Sequence, residues 1–209
     1  MGLENFKMKM KQATKKYGYR KNRNSFWKIE NGFYKLIHIQ KSSYGDYFFI
    51  NLGIHPVGLP KLITNQLIIK ERPPESECLF RKRIEQVIPS LTTSLNAMMS
   101  DGLTTEIQDD ILKSIPYIEG WMEQHGTHSF IIENQDDTLI RLLNVVPILG
   151  EKAYYMTKYF SNLKVNNREI AYTYLQNYLS LDIFIENKIL DFNQIDSYLI
   201  SLLKEEFPY

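Results

Sequence analysis

The side chains in this 209-residue chain whose types invite chemistry are the histidine pair His125 and His128, the single thiol Cys78, and the arginines Arg81 and Arg83. His125-Gly-Thr-His128 has i, i+3 spacing, whereas a zinc-protease helix sets its ligands at i, i+4 around a glutamate base. No cysteine or acid cluster stands nearby in sequence, so this stretch reads as a helix-terminal loop. His38 and His55 fall on one face of two neighbouring strands. If Lys41 lies opposite Asp46, however, the two imidazoles are about 20 Å apart at roughly 3.3 Å per residue. One ion cannot bridge that gap. Cys78, close to Phe80 and Ile84, reads as a small buried hydrophobe. A thiol nucleophile needs a base, and none is placed to serve it. Asp109-Asp110 and Asp136-Asp137 are adjacent in sequence, so on a helix they diverge by about 100° and suit its N-terminal dipole. No glycine-rich phosphate loop or nucleophile-elbow pattern occurs. No catalytic, cofactor-binding or metal-ligating residue is therefore assigned, and no cofactor is expected.

Binding chemistry has better candidates. Arg81 and Arg83 project from one strand face, and guanidinium forks suit carboxylate or phosphate. With His38, Gln40 and Asn51 they form the expected anion- or partner-binding set. The rival reading pairs both arginines with the chain's own acidic helices, or makes them hold the small anionic substrate of an enzyme. A second set, Lys15, Lys16, Arg20 and Arg23, is interleaved with Tyr17, Tyr19, Phe26 and Trp27 and has the basic-aromatic character of a nucleic-acid contact. Against it, the aromatics can be core and the lysines simply solvated.

The elements that must position these residues begin with an amphipathic helix over 3–17, where Phe6, Met10, Ala13 and Tyr17 form one stripe. Gly18 ends it, and RKNRN serves as a basic connector. Asn31-Gly32 is the dipeptide of a type I′ hairpin, and Ser42 to Gly45 suits a four-residue loop. The run from Phe26 to His55 is therefore a three-stranded antiparallel meander. Its faces differ. Phe33, Lys35, Ile37, Ile39 and Lys41 join Asp46, Phe48, Ile50, Leu52 and Ile54 on a side that the first helix must cover. The other side mixes aromatics, amides and imidazoles. The proline-rich stretch 56–76 reads as irregular, with a short element possible at LITNQLIIK, and Glu77 to Ile84 as a fourth strand. Residues 89–103 read as loop or weak helix. Thr105 with Gln108 has capping-box spacing for a helix from about 106, which Pro116 interrupts. SFII is ambiguous between strand and helix. Asp136 or Asp137 caps a helix to Val146, helical patterns follow over 150–163 and 167–180, and Asp191 with Gln194 starts the last helix, to about Glu206.

Net charge is +1, but residues 1–25, 26–100 and 101–209 carry +7, +3 and −9. Such a gradient steers a charged partner or is neutralised internally. A single cysteine permits no intrachain disulfide, no apolar run approaches the length of a membrane span, and neither a leader nor a lipidation signal is legible. A cytoplasmic location and no membrane association are expected.

The order of a helix, Gly18 to Lys21, the hairpin Gln40 to Ile54 and the strand Cys78 to Arg83 resembles the bacterial family called domain of unknown function 4304. The likeness is strongest over 17–84 and extends to about 125. It implies an α+β unit and no activity. The helical pair around Ala153–Phe160 and Ala171–Tyr178 is similar to one tetratricopeptide-type hairpin. The fold expected is α+β: an N-terminal helix and a four-stranded antiparallel sheet over 1–125, then an all-helical part over 126–209. The function expected is that of a non-catalytic binding protein, an immunity- or antitoxin-like factor that neutralises a protein partner. Nucleic-acid binding ranks below it, and enzymatic activity is not assigned.

Overall fold

The computed structural model describes residues 2–45, 47–62, 72–185 and 188–205. The chain divides into two compact units, Met1–His55 with Phe80–Gly126, and Pro56–Leu79 with Thr127–Tyr209.

The first unit is α+β. It holds α1 (Leu3–Lys15), β1 (Arg20–Asn22), β2 (Ser25–Glu30), β3 (Phe33–Lys41), β4 (Phe48–Pro56), β5 (Phe80–Arg83), α2 (Ile84–Val87), α3 (Thr92–Asp101), α4 (Thr105–Lys113) and α5 (Ile115–His125). The strands form one sheet in the order β1-β2-β3-β4-β5, so there are five where four were expected. The added strand is the basic connector. Arg20, Lys21 and Asn22 have no apolar alternation to betray them, yet they pair antiparallel with Trp27, Phe26 and Ser25. Asn31 and Gly32 take φ of +52° and +79°, the backbone that a two-residue hairpin between twisted strands requires. Ser42 N–H donates to the Tyr47 carbonyl, so the next hairpin closes one residue later than a Lys41–Asp46 pairing would place it. Asp46 itself lies outside the described residues.

Helix α1 covers the aliphatic face, with Phe6 stacked on Phe48 at 5.4 Å between ring centroids. Its buried residues are Phe6, Lys7, Met10 and Thr14, so the stripe runs through Thr14 and leaves Ala13 and Tyr17 half-buried. Helix α5 reaches the same face. Tyr19 Oη donates to Met122 Sδ at 3.4 Å, and Lys28 Nζ meets Glu119 at 2.7 Å. A Cβ built on Gly126, just beyond α5, would come within 2.9 Å of Lys35 Cε and 2.6 Å of the Met122 carbonyl, so this close passage needs glycine.

Three boundaries differ from expectation. The β5 strand starts at Phe80, since Glu75–Glu77 form a 3-10 turn instead. The stretch read as loop or weak helix contains α3. Helix α4 is capped by Thr104, whose Oγ1 accepts the Ile107 N–H at 3.4 Å, and not by Thr105. Pro116 sits in the first turn of α5, where its missing N–H costs nothing.

The second unit contains α6 (His128–Glu133), α7 (Asp136–Leu142), α8 (Gly150–Lys164), α9 (Arg168–Leu179), β6 (Phe184–Ile185), β7 (Lys188–Ile189) and α10 (Asn193–Glu205). SFII is thus helical, and α7 stops short of Val146. The β6–β7 ladder is a small addition to the helical part that was expected. Helix α8 is central and packs on α6, α7 and α9. Two of its lysines are buried, which the chain tolerates because each ammonium caps another helix. Lys158 Nζ donates to the Ile132 and Asn134 carbonyls at 2.9 and 2.8 Å, and Lys152 Nζ to those of Tyr178 and Leu181 at 3.1 and 2.9 Å. These carbonyls lie at the C-terminal ends of α6 and α9, where a helix runs short of its own N–H donors. The proline-rich segment is tied in here as well: Asn144 Nδ2 donates to the Ser76 carbonyl at 2.9 Å, and Tyr198 Oη to that of Gly58 at 3.0 Å. Most of LITNQLIIK lies outside the described residues. Among those described, no helix is long and apolar enough to cross a membrane.

Candidate functional site

Strand pairing puts all five residues of the expected partner-binding set on one sheet face. Asn51 lies directly across from Arg83 and Gly53 from Arg81, while Ser25 lies across from His38. The structure then separates their roles. His38 Nδ1 and Ser25 Oγ share a hydrogen bond at 2.8 Å, and Asn51 Nδ2 donates to Gln40 Oε1 at 2.8 Å. Asn51 is fully buried, and its Oδ1 has no hydrogen-bond partner among the described residues. Arg81 is half-buried.

Arg83 is different. It is exposed, and its guanidinium lies over the Phe49 ring at 4.1 Å from the centroid. Phe49 in turn meets Tyr47 edge-on at 5.5 Å. Beside them opens a groove of about 300 Å³ between the start of β4 and helix α3, with Glu85 also on its wall. The helix contributes Thr92, Leu95, Asn96 and Met99. Those positions are i, i+3, i+4 and i+7, one stripe of α3. Met98 is the buried residue of that helix, so its lining stripe serves the groove more than the core. Reading 89–103 as loop or weak helix concealed this wall. Leu91, Leu95, Met98 and Met99 at i, i+4, i+7 and i+8 were the available signal.

The other candidates are held by structural contacts. Cys78 is buried, which pushes its thiol well up, and Sγ lies 3.6 Å from the Pro74 carbonyl. Burial lowers His125, a tendency opposed by its bond to the Trp121 carbonyl. Burial also pushes His128 down to about 4, with the Lys164 charge adding to the effect, and its Nδ1 sits 3.2 Å from Ser161 Oγ. Among the described residues no three His, Cys, Asp or Glu side chains converge as metal donors. Of the basic set, Lys15, Lys16, Arg20 and Arg23 are all exposed. Lys16 lies over Tyr17 at 5.0 Å and Arg20 over Trp27 at 5.9 Å.

One constellation was not assembled from the sequence. Lys28, Lys35, Glu30 and Glu119 form an ionic cluster between the sheet and α5, with Tyr19 against it. Burial raises the Tyr19 phenol well above its ordinary value, and Glu119 raises it further. Burial alone would lower Lys28, but its hydrogen bonds and charge pairing with Glu119 and Glu30 outweigh that and hold it above the usual lysine range. A proton-transfer group works best with a pKa near the operating pH. Both groups are moved away from it, so the cluster is read as a clamp.

Residues 10–124 match the family model described as domain of unknown function (DUF4304). The chain belongs to that family. The matched segment spans β1 to β5, the groove and the ionic cluster, so both constellations lie within the DUF4304 region. No curated protein and no solved structure matches the chain.

Proposed function

We propose that this DUF4304 protein is a non-catalytic factor that captures a protein partner, acting as an immunity- or antitoxin-like protein in the bacterial cytoplasm. The observation that carries the reading is the Arg83 guanidinium stacked on Phe49 at the mouth of a groove walled by an amphipathic helix stripe. Arginine and aromatic side chains beside a pocket are the residues that dominate protein interfaces. The volume sits at the low end for ligand pockets and suits an anchoring side chain better than a cofactor. The charge gradient along the chain would speed and orient such an encounter. We read the α8–α9 pair as a single tetratricopeptide-like hairpin that serves as scaffold.

Affinity purification from the native cell tests this. The wild-type chain should bring down a stoichiometric protein, and Arg83→Glu should lower recovery about 30-fold, as for a hot spot worth about 2 kcal/mol. If the wild-type chain comes down alone, or the variant retains its partner in full, the reading is wrong.

A further inference from the structure

We propose that the groove captures the free C-terminus of the partner chain, with the last residue's carboxylate on the Arg83 guanidinium and its apolar side chain against Leu95, Met99 and Phe49. This rests on the partner-capture reading above and names the part of the partner that is held.

Arg83 is a cation that awaits a counter-charge. In the same unit Lys28 and Lys35 are committed to Glu119 and Glu30. Arg83 is exposed, and among the described residues no carboxylate pairs with it, not even Glu85 on the wall of the same groove. What its guanidinium touches is the Phe49 ring, 4.1 Å from the centroid. A guanidinium laid on a ring uses its face, and its N–H groups point outward in the plane. Two of them match the two oxygens of a carboxylate. The ring thus holds the fork ready at the mouth of the groove.

The groove decides which carboxylate. Its volume of about 300 Å³ is the lower end for a ligand pocket, so the acid and the apolar body have to belong to one residue. Successive residues of an extended chain point to opposite sides, which sends an acidic side chain away from the wall that its apolar neighbour meets. Aspartate and glutamate bring only one or two methylenes of their own, too few for a wall of Leu95, Met99 and an aromatic ring. The last residue of a chain has both groups on one Cα. That wall is reachable from outside: Phe49 and Leu95 are half-buried and Met99 is 56% exposed. Methionine adapts to varied shapes, so several apolar residues suit the position. Thr92 and Asn96 on the same stripe are exposed and make no side-chain hydrogen bond among the described residues, which leaves them for the terminal peptide group. Glu85 repels a second acid and favours a neutral or basic residue before the last. No main-chain group of β4 takes part.

Selection of random peptides displayed with free C-termini, carried out on the full-length chain, provides the test. Enriched peptides should share an apolar last residue. Amidating that residue removes the carboxylate and leaves the protein untouched. Binding should then weaken about tenfold or more, as it should for Arg83→Gln with the free acid. Combined, the two changes should cost no more than either alone, because they remove the same contact. Equal affinity for acid and amide, additive losses, or no enrichment would each overturn C-terminal capture. So would N-acetyl-leucine binding as tightly as the peptides, which would assign the groove to a small free acid. A partner from cells that still binds through Arg83 after carboxypeptidase has trimmed its last residues would leave partner capture standing and remove only this mode. No partner in cells and no enriched peptide would remove both.

Discussion

Replacing Lys28 with methionine is expected to cost about 3–5 kcal/mol of stability, the range for stranding a buried charge. The Lys28 side chain is 7% exposed and that of Glu119 is 4% exposed, with 2.7 Å between Nζ and Oε2. Glu30 accepts from Lys35 at 2.5 Å and lies 3.2 Å from Lys28. Remove Lys28, and Glu30 keeps its second lysine while Glu119 is left between sheet and helix. Its Oε1 already has no hydrogen-bond partner among the described residues. Natural domains are stable by only about 5–15 kcal/mol, so the single variant should be close to unfolding. The double variant Lys28→Met with Glu119→Leu should recover most of the loss, because two apolar groups of similar size need no partner. Urea denaturation of the three proteins decides it. A single-variant cost under about 1 kcal/mol would mean that water already screens the pair.

Acid should weaken the second unit through His128. Its pKa falls from the usual 6.5 to about 4 in the folded chain, chiefly through burial. Between those values the unfolded chain takes up a proton that the folded chain refuses. Stability is therefore full above about pH 6.5 and declines as pH falls towards 4, then levels off. The whole shift would correspond to about 3 kcal/mol, and partial exposure reduces this to about 2 kcal/mol. His125, also lowered by burial, gives a smaller slope of the same sign in the first unit. The depressed carboxyl of Glu30, held down by Lys35 in particular, acts only below its ordinary value of 4.5. Urea midpoints for His128→Gln should lose the slope between pH 6.5 and 4.5 that the wild type has. Identical slopes would refute the assignment.

What sequence made legible was local. Asn31-Gly32 specified its hairpin through two residues that tolerate positive φ. Asp191 was placed at the start of the last helix, where its Oδ1 accepts the Asn193 N–H at 2.8 Å. Strand alternation put Arg81, Arg83, Asn51, Gln40 and His38 on one face. It could not tell which of them already satisfied one another. What stayed hidden depended on distant partners. Lys35 was visible as a lysine on an aliphatic face, a local contradiction that asks for a carboxylate, yet the glutamate that pairs with neighbouring Lys28 stands 91 residues away. The short β1 strand exists because β2 lies beside it, not because its own three residues favour extension. The buried lysines of α8 hold the ends of other helices, which no pattern within α8 reveals. The groove needed α3, whose modest amphipathicity was easy to miss among serines and threonines.

Amide hydrogen exchange across β4, in the free protein and in complex with the partner recovered from cells, tests the binding account most directly. The account predicts that exchange slows at Phe48 to Ile50 and along the facing stripe of α3. Slowing confined to the basic segment between Lys15 and Arg23, with the start of β4 unchanged, would contradict it.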